Sequence, residues 1–204
     1  TIAGLPDSQY YTAQSNGGSN ALFKAQTQWI AANAGTKNIV YVQHFGDVTN
    51  TASIETEWKR ADTSMSFLES PAPGIPYGIS IGNHDQIGGT ALYNQYFGTA
   101  RFSGRSYYGG SFGSNNESHF ILFSAGTLQF IALSLNYSTP MNPAMLHWAD
   151  SLLKAYGDRR AIVGSHSIIG TGNPASFSSE GQVLYDSLKD NPNLFLMLCG
   201  HVPG

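Results

Sequence analysis

The chain has 204 residues, 41% of them hydrophobic and 11% charged, with a net charge of -3. That length and apolar content suit one domain with a sizeable core and exclude a disordered chain. The absence of a basic excess gives no nucleic-acid-binding patch, and no apolar run is long enough to span a bilayer.

Thr1 rather than Met heads the chain, the mark of processing or trimming. After a short apolar run comes "LPDSQYY", carrying Asp7 and Gln9. Residues 19–35 predict a helix, with Ser19 or Asn20 as cap, Leu22, Phe23, Gln26, Trp29 and Ile30 on one face, and Gly35 as stop. "NIVYVQHFGD" reads as a strand entering a Gly-Asp turn. A second helix follows, with Ile54, Trp58, Ala61, Met65 and Leu68 on one side, and Pro71, Pro73 and Pro76 end it. "YGISIGNHD" is a strand and turn.

Residues 101–118, rich in Gly, Ser, Tyr and Asn, read as a long loop or irregular hairpin. Arg101 and Arg105 there offer either a grip on an anion or solvated surface, and Tyr10, Tyr11, Tyr107 and Tyr108 either ring stacking near a pocket or packing. "HFILFSAG" and "TLQFIALSL" form an antiparallel pair around Ala125-Gly126. A helix from Pro143, a strand "RRAIVGSH", a helix "SEGQVLYDSLKD" and a strand "NLFLMLCGH" complete the chain. Cys199, the one cysteine, lies in this last apolar run and reads as a small buried side chain. His44, His119 and His147 read as structural. Alternating strands and helices imply an α/β fold with a mostly parallel sheet, and ligands gather at carboxyl strand ends in such sheets. The low charge content points to a secreted or periplasmic protein.

Every predicted parallel strand ends in a carboxylate, carboxamide or imidazole: Asp7 and Gln9, then Asp47 and Asn50, then Asn83, His84 and Asp85, then His166, then His201. These are donors for divalent metals, and the adjacent glycines allow sharp turns. A single Gly-Asp turn or lone histidine is ordinary structure. Their recurrence at successive strand ends is not.

The ordered set Asp7-x-Gln9, Gly46-Asp47-x-x-Asn50, Gly82-Asn83-His84-Asp85, His166 and Gly200-His201 resembles the calcineurin-like metallophosphoesterases. The resemblance implies two packed mixed β-sheets flanked by helices. It implies one or two divalent metal ions (Mn, Fe, Zn or Mg) and hydrolysis of small-molecule phosphate mono- or diesters. By the same resemblance Asp47 bridges two metals, Asn83, His166 and His201 complete the second site, and Asp7 and Gln9 serve the first. His84 faces the phosphate as acid or transition-state stabiliser, and Asp85 orients it.

Two positions depart from the family pattern. Gln9 and Pro203 stand where the family has histidines, so the resemblance implies a weaker first site. These losses leave an alternative, a member that binds a phosphorylated ligand or partner without efficient turnover. The end at Gly204 implies, by the same resemblance, a domain short of its last strands.

Overall fold

The computed structural model describes residues 1–70 and 72–202; Pro203 lies outside the described residues. Strand β1 (Ile2–Leu5) leads through Pro6 and Asp7 into a short helix α1 (Gln9–Ala13) and then α2 (Asn20–Asn33). Strand β2 (Tyr41–His44) is followed by α3 (Glu55–Met65), a 3-10 turn over Ser66–Glu69, and β3 (Tyr77–Ile79). These three strands form a wholly parallel sheet in the order β1-β2-β3.

After a 3-10 turn at His84–Gln86 come α4 (Ala91–Phe97) and α5 (Thr99–Phe102). A mixed five-stranded sheet follows: β4 (Tyr108–Ser111), β5 (His119–Ala125), β6 (Leu128–Leu135), β7 (Arg160–Ser165) and β8 (Leu194–Leu198), in that order. Its first two pairings are antiparallel and its last two parallel. Helices α6 (Pro143–Ala155) and α7 (Ser179–Leu188) are the crossovers. Asn142 caps α6 by accepting from Ala144 and Met145, and Ser178 caps α7 by accepting from Gly181.

Period-two alternation assigns the layers. On β6, Phe130 and Ala132 join the core shared with the parallel sheet, α2 and α3, whereas Ile131, Leu133 and Leu135 join the core under α6 and α7. The result is two packed sheets between two helical layers.

The helical faces differ in part from expectation. Phe23 and Ile30 are buried, but Leu22 and Trp29 are exposed, and the inward stripe is completed by Asn20 and Thr27. Those polar side chains have partners: Thr27 donates to the Phe23 carbonyl one turn earlier, and Ser64 of α3 donates to Asn20 Oδ1. A hydrophobicity pattern therefore misplaces the face. On α3, Trp58, Ala61 and Met65 are buried, as is Leu68 in the 3-10 turn that follows, and Ile54, ahead of the first turn of α3, is exposed. The 101–118 stretch contains the irregular hairpin: β4 pairs with β5 with a register shift between Tyr108 and Gly110. Among the described residues no helix is long and apolar enough to cross a membrane.

Candidate metal centre

The carboxyl ends of β1, β2, β3, β7 and β8 converge. His166, directly after β7, is at the centre and fully buried. Its Nδ1 lies 2.8 Å from the Phe45 carbonyl, which can only accept, so Nδ1 carries a proton. The other ring nitrogen, Nε2, then meets Asp47 Oδ2 at 3.2 Å, Asn83 Oδ1 at 3.1 Å and His201 Nδ1 at 3.0 Å. Four atoms with lone pairs thus point at one another. Without a proton or a cation among them they repel. Burial opposes a charge on His166, but the hydrogen bond and charge of Asp47, the Phe45 carbonyl and Asp7 outweigh it and raise its pKa.

Asp7 holds the neighbouring position. Its Oδ2 accepts from the His201 backbone N–H at 3.0 Å, while Oδ1 is buried without a partner. Gln9 Oε1 is also buried without a partner. Both line a cleft of about 580 Å³ with Phe45, Tyr10 and His201. Burial raises the Asp7 pKa, with the His166 charge opposing and Asp47 adding to the rise.

The backbone is shaped to this purpose. Asp47 and His201 have φ of 47° and 69°, an unusual conformation for residues with side chains. A Cβ on Gly82 would stand 2.1 Å from Asp47 Oδ1, and one on Gly200 would stand 2.3 Å from Asp7 Oδ1. Only glycine leaves room for those carboxylates.

The orphaned oxygens of Asp7 and Gln9, the converging lone pairs and the mixed Asp, Asn and His donor set fit divalent cations. Asp47, His166 and His201 offer ligand atoms all within 4.8 Å of one another.

His84 stands beside this cluster. Its backbone N–H donates to Asp47 Oδ1 at 3.0 Å, and its Nδ1 lies 2.8 Å from the Asn50 carbonyl. That carbonyl fixes the Nδ1 proton and leaves Nε2 as the exchanging atom. Asp85 does not orient His84, contrary to expectation. Its carboxylate accepts from the backbone N–H groups of Val48, Thr49 and Gly82 and from the Thr49 hydroxyl, all within 3.1 Å. It clamps the Gly-Asp loop to the Gly-Asn-His loop. Burial and the charge of Asp47 push its pKa up to about 6 despite those donors.

Other sequence candidates fall elsewhere. Arg101 and Arg105 are engaged within the chain: both pair with Glu69, and Arg101 also pairs with Asp62. Tyr107 is buried in the core and Tyr108 donates to Asn116, so among the four tyrosines only Tyr10 lines the cleft beside Asp7. His44 bonds Ser8 and the Gly46 N–H, and His119 bonds Asn116. Tyr137 was missed. It follows β6 as Asp47 follows β2, and its ring lies 5.8 Å from His166 and 6.1 Å from His201 between centroids. Reading β5 and β6 only as a hairpin hid the fact that β6 also ends at this edge.

Similar solved structures carry this arrangement of sheets. A dimetal phosphatase from Danio rerio superposes with a TM-score of 0.59 at 15% identity, over 98% of this chain and 80% of its own. Purple acid phosphatase PPD1 from yellow lupin seeds gives 0.57 at 15% identity, over 98% of this chain and 37% of its own. GAP50, the anchor in the inner membrane complex of Plasmodium, gives 0.56 at 17% identity, over 98% and 65%. The chain has the calcineurin-like metallophosphoesterase fold. With that metallophosphoesterase fold it is 35% identical over 205 residues to the uncharacterized protein YvnB of Bacillus subtilis. The match takes in 98% of this chain and 15% of YvnB, so the chain spans a small part of that relative's length. No family model matches the chain.

Proposed function

We propose that this chain is a metal-dependent phosphoesterase acting on small phosphate mono- or diesters. The observation that carries the reading is the meeting of Asp47, Asn83, His166 and His201 lone pairs around one point, with the His84 backbone N–H donating to Asp47 beside it. Divalent cations held there would supply Lewis-acid neutralisation of the phosphoryl oxygens and acidify a water. Asp47, Asn83, His166 and His201 would hold one ion.

Asp7 and Gln9, with Asp47, would hold a second ion. Gln9 brings a neutral oxygen where an imidazole would bind a transition metal better, so this site holds its ion more weakly and favours Mg or Mn. In turnover a water oxygen forms a new bond to phosphorus and the bond to the ester oxygen breaks. His84 Nε2 delivers a proton to the departing oxygen, with its ring held by the Asn50 carbonyl. Asp85 acts at one remove by keeping the two loops in register.

Hydrolysis of p-nitrophenyl phosphate and bis-p-nitrophenyl phosphate with added Mn tests this reading. The expected result is metal-dependent turnover that His84→Ala lowers by about 100-fold or more. No metal-dependent turnover of either ester would leave a protein that binds phosphorylated ligands only.

A further inference from the structure

Glu57, in the first turn of α3, is 4% exposed, and its carboxylate faces the loop that follows Asp47. Its Oε2 accepts from the backbone N–H groups of Asn50 at 2.8 Å and Thr51 at 3.0 Å. Asp85 takes the two N–H groups just before them, those of Val48 and Thr49. Four consecutive backbone donors after Asp47 therefore end on two buried carboxylates. The next carbonyl, that of Ala52, accepts from Trp58 Nε1 at 2.7 Å, so the neighbouring residue of α3 fastens the same segment.

The two carboxylates act on different peptides. Glu57 holds the peptide between Asn50 and Thr51, whose carbonyl end lies 2.8 Å from His84 Nδ1. A peptide unit is planar, and in the trans form its N–H and C=O point opposite ways. Fixing the Thr51 N–H on Glu57 therefore aims the Asn50 carbonyl at the imidazole. The negative charge on the N–H side also polarises the peptide and makes that carbonyl a stronger acceptor. A carboxylate in the first turn of a helix can be no more than a favourable charge at the helix end. Both of these hydrogen bonds leave the helix, and one lands on the peptide that anchors His84.

We propose that Glu57 is a positioning residue for His84, acting through the Asn50–Thr51 peptide. The inference rests on the phosphoesterase reading and adds a residue to its proton-delivery step. As a water oxygen bonds to phosphorus and the ester bond breaks, His84 Nε2 gives its proton to the departing oxygen. Glu57 neither gains nor loses a proton. It keeps the Nδ1 anchor in place so that Nε2 is presented in one direction.

The test is a double-substitution cycle on p-nitrophenyl phosphate with saturating Mn. Glu57→Ala is expected to lower kcat about tenfold or more while KM stays within about threefold. Added to His84→Ala, it is expected to lower kcat by less than about twofold, because the imidazole it positions is already gone. Glu57→Gln, whose amide oxygen can accept from the same two N–H groups, is expected to restore most of kcat. Glu57→Asp, one methylene short of them, replaces Glu57→Ala if that variant does not fold. A second readout needs no turnover. Proton–nitrogen NMR of the metal-free protein at about pH 8 should show the His84 ring proton on Nδ1, and Glu57→Ala should remove that preference. An equal loss of kcat in both backgrounds overturns the inference, as does a His84 spectrum that Glu57→Ala leaves unchanged. Absence of hydrolysis by the unsubstituted protein, with the His84 spectrum still responding to Glu57→Ala, counts against the phosphoesterase reading alone.

Discussion

Two partly buried clusters of polar side chains differ in the source of their positive charge. Beside α5, Arg101 Nε donates to Glu69 at 2.9 Å, its Nη1 bonds Asp62, and its guanidinium lies 4.7 Å over the Phe97 ring. Arg105 joins at 2.9 Å from the same Glu69. Donors face acceptors, and the cation is part of the chain. At the strand ends, Asp47, Asn83, His166 and His201 face one another as acceptors, and Asp7 and Gln9 add two buried oxygens without partners. Both clusters contain carboxylates withdrawn in part from solvent. One is held by ion pairs within the chain, and the other, on the reading proposed above, would be completed by cations from solution.

Opposite responses to removing a carboxylate sharpen that contrast most. Glu69→Gln leaves Arg101 and Arg105 with fewer counter-charges and should cost about 2 kcal/mol in urea unfolding, metal or none. Asp47→Asn, measured in chelator at pH 8, should be neutral or stabilising by up to about 1 kcal/mol, because it relieves the crowd of acceptors. The same substitution should abolish the response to metal. A large loss of stability for Asp47→Asn in chelator would break the comparison.

Metal addition gives the next effect. Mn at about 100 times its dissociation constant should stabilise the unsubstituted protein by about 2.7 kcal/mol. Calorimetry should resolve a tight step and a weaker one, and Gln9→His should tighten the weaker step for Zn. Two equally tight steps without that substitution would sink the assignment of a weak first site.

A pH dependence separates the metal centre from histidines that play no part in it. Burial lowers His119 to about 4 and His44 to about 3, from an ordinary 6.5. His119 Nδ1 faces the Asn116 carbonyl and its Nε2 faces the Ile79 N–H, an arrangement that needs the neutral ring. Between these values the unfolded chain binds more protons than the fold, so stability is complete above about pH 6.5 and lost as pH falls toward 4. Each histidine contributes about 1.4 kcal/mol per pH unit in that window. Urea midpoints of chelated protein should follow this slope, and His119→Gln should reduce it by roughly half.

Local chemistry made much of the molecule legible. The apolar runs ahead of Asp47, Asn83, His166 and His201 mark strand ends because each run stops at a polar donor, and beside Asp47, Asn83 and His201 a glycine allows the turn. The helices from Asn20, Glu55, Pro143 and Ser179 follow from periodicity and caps. The inward face of α2 was not legible, since Thr27 and Asn20 are satisfied by bonds that no hydropathy pattern records. The Arg101 clasp was not legible either, because its acidic partners come from α3 and the turn after it.

The sequence by itself determined which donors exist and that each follows a strand, because period, glycine and side-chain chemistry are local properties. Only the tertiary structure decided which donors meet. Sheet order and the packing of the two sheets brought His166 between Asp47 and Asn83, turned Asp85 away from His84 into a loop clamp, and set Tyr137 against the imidazoles. Those outcomes depend on contacts between residues up to 194 positions apart, as between Asp7 and His201, which no local pattern encodes.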